Sequence, residues 1–338
     1  MKKIVSSLLF IILSLFFSQI IFCETNEAIL IENLKNAKTN SQKIKANKQL
    51  MYYYINTKDY ESSIPIADEL LKLKLSKKQK YNVYYNLAKV YLKLSKSEKA
   101  LEMGKEAQYL YPKKTETKLL LGNIYKNNGL NELAVVKFKE VLETDDDNIE
   151  TLINLGNIYN MQENYKLSLE YFEKAKNESL QKGEDLSSDV CINMAISAKE
   201  IGKIEQARNI LENIKEKNKT SALLLSHIYH SEQNFDKAIN ELLPFAYKSE
   251  TDIEIYCNLA QLYLLSDKFN EAKDLLLYFK SKNEGNNEVV DLLLVEAYHN
   301  IYHSKERELK ELNKILKYTN SDYFKNIIEK IIKFEKTR

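Results

Sequence analysis

The chain has 338 residues, 44% of them apolar and 29% charged, with only 7 Gly, 3 Pro and no Trp. So few turn-forming residues argue against a sheet-rich fold, and so large an apolar fraction excludes a disordered one. Lys plus Arg number 50 against 48 acidic residues, a net charge of +2, whereas a nucleic-acid binder should show a strong basic excess.

The first segment stands apart. Lys2 and Lys3 precede an apolar run from Ile4 to Phe22, the pattern of an export signal over residues 1–23. Glu24 and Glu27 follow, with no basic residue before Lys35. That asymmetry keeps the start in the cytoplasm and sends the body across the membrane. Three fates fit: cleavage near Cys23, lipidation of Cys23, or retention as an anchor. Lipoprotein signals usually carry a small residue before the cysteine, and here it is Phe22. Each fate places the body in the periplasm, or on a membrane facing away from the cytoplasm. Membrane contact is expected only through this segment. Residues 24–40 read as a lone helix.

Residues 41–319 repeat. Ala88, Gly122 and Gly156 stand 34 residues apart, each preceded by Leu and followed three positions on by Tyr. With this anchor called s, further anchors are Met51, Ala195, Ser226, Ala260 and Val295. Tyr stands at s+3 in seven of the eight units, Ala198 being the exception. Ala or Ser stands at s+12 in seven, Arg307 being the exception. The spacing lengthens to 39 before Ala195, an insertion around 178–188, and shortens to 31 after it. Within each unit the apolar spacing is helical, and short polar stretches divide it into two helices. Small residues at s and s+12 let the paired helices approach closely. The Tyr at s+3 fills the wedge toward the neighbouring unit. One hairpin cannot bury its own apolar face, so the units must stack. Residues 320–338 read as a capping helix whose Phe324, Ile327, Ile328, Ile331 and Ile332 face inward. Cys191 and Cys257 fall on first helices two units apart, beyond disulfide reach, and should be free thiols.

This pattern resembles the tetratricopeptide repeat family: the period, the small residue after Leu, the Tyr three on, the Ala twelve on, and Pro112 after a second helix. The resemblance implies an all-α, right-handed superhelical solenoid of about eight helix-turn-helix units with flanking helices. It also implies that the exposed side of each first helix lines a concave groove.

At 100° per residue, the side of the first helix opposite its packed arc carries s−6, s−2, s+1 and s+5. Ten of these 32 positions are Asn, where about three would be expected from 33 Asn in the chain. Asn offers both donor and acceptor, matching a peptide backbone. The candidate peptide-binding residues are Asn82, Asn86, Lys89, Lys93, Asn123, Asn127, Asn154, Asn157, Asn193 and Asn258. Lys89 and Lys93 would receive an acidic group. The carboxylate clamp known in this family is not expected, because Tyr52, Glu116 and Leu120 stand where its partners are needed.

No phosphate loop, nucleophile elbow or zinc cysteine pair occurs. His227 with His230, and His299 with His303, sit at spacings that metal ligands use but lack a third ligand. No cofactor or metal is expected, and no catalysis. The leading expectation is an exported scaffold that binds a partner protein or peptide. The alternatives are a lipid-anchored subunit of an envelope or outer-membrane assembly and, in another class, an enzyme with an unrecognised metal site.

Overall fold

The computed structural model describes residues 26–337 except 247 and 284. The export signal read in residues 1–23, with Cys23, lies outside the described residues. Among these, every regular element is a helix, and no helix is long and apolar enough to cross a membrane. The chain forms two compact units that divide after Met161. The first holds α1 (26–35), α2 (Asn40–Asn56), α3 (Tyr60–Lys72), α4 (Lys77–Lys93), α5 (Ser97–Leu110), α6 (Thr115–Asn127), α7 (Asn131–Leu142) and α8 (Ile149–Met161). The second holds α9 (Tyr165–Gln181), α10 (Ser188–Glu200), α11 (Ile204–Glu212), α12 (Lys219–Ser231), α13 (Phe235–Ala246), α14 (Ile253–Leu265), α15 (Phe269–Lys282), α16 (Glu288–Tyr302), α17 (Lys305–Tyr318) and α18 (Asp322–Thr337).

Each unit is a run of helical hairpins. In the first, α2 packs on α3, α4 on α5, and α6 on α7; in the second, α10 packs on α11, α12 on α13, α14 on α15, and α16 on α17. The small residues sit where the paired helices touch. Ala88, Ala100, Ala134, Ala195, Ala207, Ala238, Ala260 and Ala272 are fully buried. At Gly122 a Cβ would lie 2.5 Å from the Phe138 ring, so nothing larger than hydrogen fits without movement. In the first unit, Leu87, Tyr91, Leu121 and Ile124 join Met51 and Leu70 in one apolar cluster that runs from hairpin to hairpin. In the second, α18 lays Ile328 and Ile332 against Leu312 and Ile315, with Phe324 and Ile331 beside them.

The Tyr at s+3 reaches back along the stack. Tyr54 donates to Glu27 of α1 at 2.7 Å, and Tyr229 of α12 donates to Glu212 of α11. Burial, reinforced by the Glu27 carboxylate, pushes Tyr54 up to about 12.

The hairpin turns share a device that residue type conceals. The residue at s+7 is left-handed in seven units: Lys58, Ser95, Gly129, Glu163, Gly202, Gln233 and Asp267. In the turns at Ser95, Gly129, Gly202, Gln233 and Asp267 the s+8 amide donates back to the s+3 carbonyl, as Lys96 does to Tyr91 at 2.9 Å. This is the 6→1 bond of a Schellman cap, which satisfies carbonyls the helix end leaves unpaired. Only two of the seven residues are Gly, so the others carry the cost of a Cβ at positive φ.

The eighth hairpin departs from the expected register. Its left-handed residue is His303, at s+8. One extra residue between the anchor and α17, which starts at s+10 instead of s+9, moves Arg307 out of the small-residue position and Glu308 into it. Glu308 is only 7% exposed and lies 2.7 Å from His299 Nδ1. The exposed Arg307 lies over the rings of Tyr298 and Tyr302, 4.4 and 4.1 Å from their centroids.

Cys191 on α10 and Cys257 on α14 are free thiols. Burial pushes both up, Cys257 to about 11, so neither is an activated thiolate.

Gly122→Leu is expected to destabilise the protein by about 1–3 kcal/mol through overpacking against Phe138. At Gly129 a Cβ would meet nothing, so Gly129→Ala should cost only about 1 kcal/mol, through its positive φ. Urea unfolding followed by circular dichroism checks both. A Gly122→Leu variant as stable as wild type would show that the hairpin does not depend on this close approach.

Candidate functional site

The first-helix face of the first unit is carried by α2, α4, α6 and α8. Its four expected rows differ in exposure. The s−6, s+1 and s+5 positions are exposed or half-buried, as Lys89, Glu116, Asn127 and Glu150 show. The s−2 position turns inward where another hairpin precedes it: Asn86 is half-buried and Leu120 and Asn154 are buried, whereas Gln49 of α2 is exposed.

A bond recurs there between hairpins. An Asn at s−2 reaches the s+1 side chain of the preceding hairpin. Asn86 Nδ2 lies 3.4 Å from the Tyr52 hydroxyl. Asn154 Nδ2 donates to Asn123 Oδ1 at 3.0 Å. In the second unit, Asn258 Oδ1 lies 3.2 Å from His227 Nε2. The candidate amides are thus largely engaged within the protein. Asn86 also donates to the Asn82 carbonyl at 2.7 Å, and Asn258 to that of Glu254 at 2.8 Å. Asn123 donates to Glu150 at 3.0 Å while accepting from Asn154. Lys126 Nζ donates to Asn154 Oδ1 at 2.7 Å, and burial holds its ammonium below the usual lysine range despite the nearby Glu150. Lys126, at s+4, is a participant that the repeat pattern did not single out. Asn157 and Asn193 are half-buried and also make interactions within the chain.

Between α4, α6 and the start of α8 lies a recess of ≈ 530 Å³. Tyr85, Lys89 and Lys93 line its α4 side. Glu116, Leu119, Leu120 and Asn123 supply the α6 side, and Asp145, Asn148 and Glu150 close it. The Lys89 ammonium lies 5.7 Å from the Tyr85 ring centroid. Asn148 accepts from the Thr151 amide at 2.9 Å and donates to Asp145 at 2.8 Å, which fixes the start of α8. The recess presents two cations on one wall and three carboxylates on the other.

The histidine pairs form no metal constellation. His299 is engaged with Glu308, and His303 ends α16. Among the described residues no group of three or more His, Cys, Asp or Glu could hold a metal ion.

A tetratricopeptide repeat family model matches residues 81–114, 149–179 and 253–277. These three stretches are tetratricopeptide repeats. These matches fall on three of the eight hairpins read from spacing. A search of curated proteins returns no match. Similar solved structures include a tetratricopeptide repeat protein from Parabacteroides merdae, 16% identical over 86% of this chain and 98% of that one, with a TM-score of 0.45. PilF of Pseudomonas aeruginosa is 15% identical over 75% of this chain and 98% of that one, at 0.38. MamA from Desulfovibrio magneticus is 16% identical over 48% and 90%, at 0.44. Likeness at this level says nothing about partners.

Asn154→Ala is expected to lower the unfolding free energy by about 1–3 kcal/mol, because it strips Lys126 and Asn123 of their partner. The exposed Asn127→Ala should stay within about 0.5 kcal/mol of wild type. Denaturant titration of both variants checks this. Equal midpoints would show that the Asn154 bonds do not hold neighbouring hairpins together.

Proposed function

We propose that this protein is an exported scaffold that holds a segment of a partner protein on the first-helix face of its first unit. Tetratricopeptide repeat proteins are generally interaction scaffolds rather than enzymes, and the reading places this chain among them. One observation carries it: the ≈ 530 Å³ recess with Lys89 and Lys93 opposite Glu116, Asp145 and Glu150. Such a divided surface suits a segment whose acidic group lies against α4 and whose basic group lies toward α8. Tyr85 and Leu119 supply apolar contact between the two. The buried Tyr81–Thr117 bond ties α4 to α6 and the Asn154–Asn123 bond ties α6 to α8, so the site is organised before the partner arrives.

Export rests on the basic start and the apolar run to Phe22. Attachment to a membrane, as a subunit of an envelope assembly, rests on Cys23. The mass of the processed N-terminus separates the fates: a diacylated Cys23 supports attachment, an unmodified start near residue 24 supports a soluble form, and an intact Met1 on the whole population contradicts cleavage.

Lys89→Glu with Lys93→Glu is expected to weaken partner capture by at least about tenfold while helicity is unchanged. Lys105→Ala with Lys139→Ala, on exposed second-helix positions, should leave capture intact. Crosslinking in intact cells followed by quantitative pull-down measures both. Loss of capture in the second pair and its retention in the first would move the site off this face.

A further inference from the structure

The uneven repeat spacing in the second unit has a structural consequence. The long spacing before Ala195 gives α9 17 residues, and the short one after it leaves α11 only 9. The later second helices α13, α15 and α17 have 12, 14 and 14. The end of α9 therefore projects where α11 lacks about one helical turn to lie beside it. A recess of ≈ 690 Å³ fills that place, within the range of ligand-binding clefts. A shallower one of ≈ 330 Å³ continues it along α9 and α11 to Glu205 and Gln206.

The recess is built rather than loose. The connection from α9 to α10 folds back on itself, with Ser179 Oγ donating to the Glu184 carbonyl and the Glu184 amide to the Ser179 carbonyl, both at 2.9 Å. Asp185 pairs with Lys215, and Ser188 Oγ donates to the Glu216 carbonyl at 3.0 Å, tying this connection to the one between α11 and α12. Gln206 donates to Glu173 at 2.7 Å and holds the far end together. The floor is aliphatic and sulfur-bearing: Leu180, Cys191, Met194, Ile210 and Ile214. Leu180 is 61% exposed. The rim is acidic. Glu184, Glu205 and Glu216 carry no ion pair among the described residues, while Asp185 is neutralised by Lys215, which leaves Lys176 as the opposing cation.

We infer that this crevice, on the second-helix side, is a docking site for a short basic helical segment of another protein, carrying two aliphatic side chains one turn apart. Shape argues for a helical turn, because a turn is what α11 lacks there. The floor argues for aliphatic side chains, to which Met194 can adapt. Charge complementarity argues for Lys or Arg beside them. The site is independent of what the first-helix face of the other unit holds.

The probe is a fluorescein-labelled, lysine-rich helical peptide with two leucines four positions apart, added to the full chain carrying Cys23→Ser. Anisotropy should rise saturably. Bound peptide should protect Cys191 from N-ethylmaleimide by about tenfold or more while Cys257 labels unchanged. Glu184→Lys with Glu216→Lys, both exposed, should weaken binding by at least about tenfold, and so should replacing the peptide lysines by glutamates. Four results would each overturn the inference. These are no saturable binding, equal affinity for the charge-reversed protein, protection of Cys191 by decanoate but not by the peptide, and protection that grows with protein concentration alone.

Discussion

The close approach of two helices within a hairpin is the constraint on which the rest depends. Gly122 against Phe138 states it most sharply, since a single Cβ would come within 2.5 Å of the ring. The buried alanines at the equivalent positions state the same limit less severely. Interiors packed at crystal-like density do not absorb an extra methyl group there. Once the pair is closed, the apolar arc left over on each hairpin has only the next hairpin to cover it. The Tyr hydroxyls that reach back from Tyr54 and Tyr229 then fix one hairpin against what precedes it.

This stacking decides which side chains are available for function. The s−2 position lies between successive first helices, so a polar residue there meets the s+1 residue of its neighbour before it meets solvent. Asn86, Asn154 and Asn258 all do so. A buried amide must find partners or cost about 1–3 kcal/mol. The Asn enrichment therefore serves the stack first, and the charged groups at s−6, s+1 and s+5 are left to meet a partner.

Much of this was legible in the residues. The anchors, the small residue at s+12 and the Tyr at s+3 are fixed by contact, and contact restricts residue type. The turns were less legible, because five of seven left-handed positions carry Lys, Ser, Glu, Gln or Asp instead of Gly. Backbone bonds within the cap enforce that conformation, and residue identity does not report it. The slip at His303 was hidden for a related reason: Glu308 takes a small-residue position, paired there with His299, and spacing alone does not show that pairing. The inward turn of Asn154 was also out of reach, because helical angle alone gives the side a residue faces and not how near the next helix lies. The 39 and 31 spacings were visible, but the recess they leave depends on where α9 and α11 end.

The central claim is that a partner protein sits on the first-helix face of the first unit. Photo-crosslinking from single positions in intact cells tests it most directly. A photoreactive side chain at Asn127, exposed at s+5 of α6, should form adducts with a discrete partner, and one at Lys139, exposed on α7, should form none. Adducts from Lys139 with none from Asn127 would contradict the account.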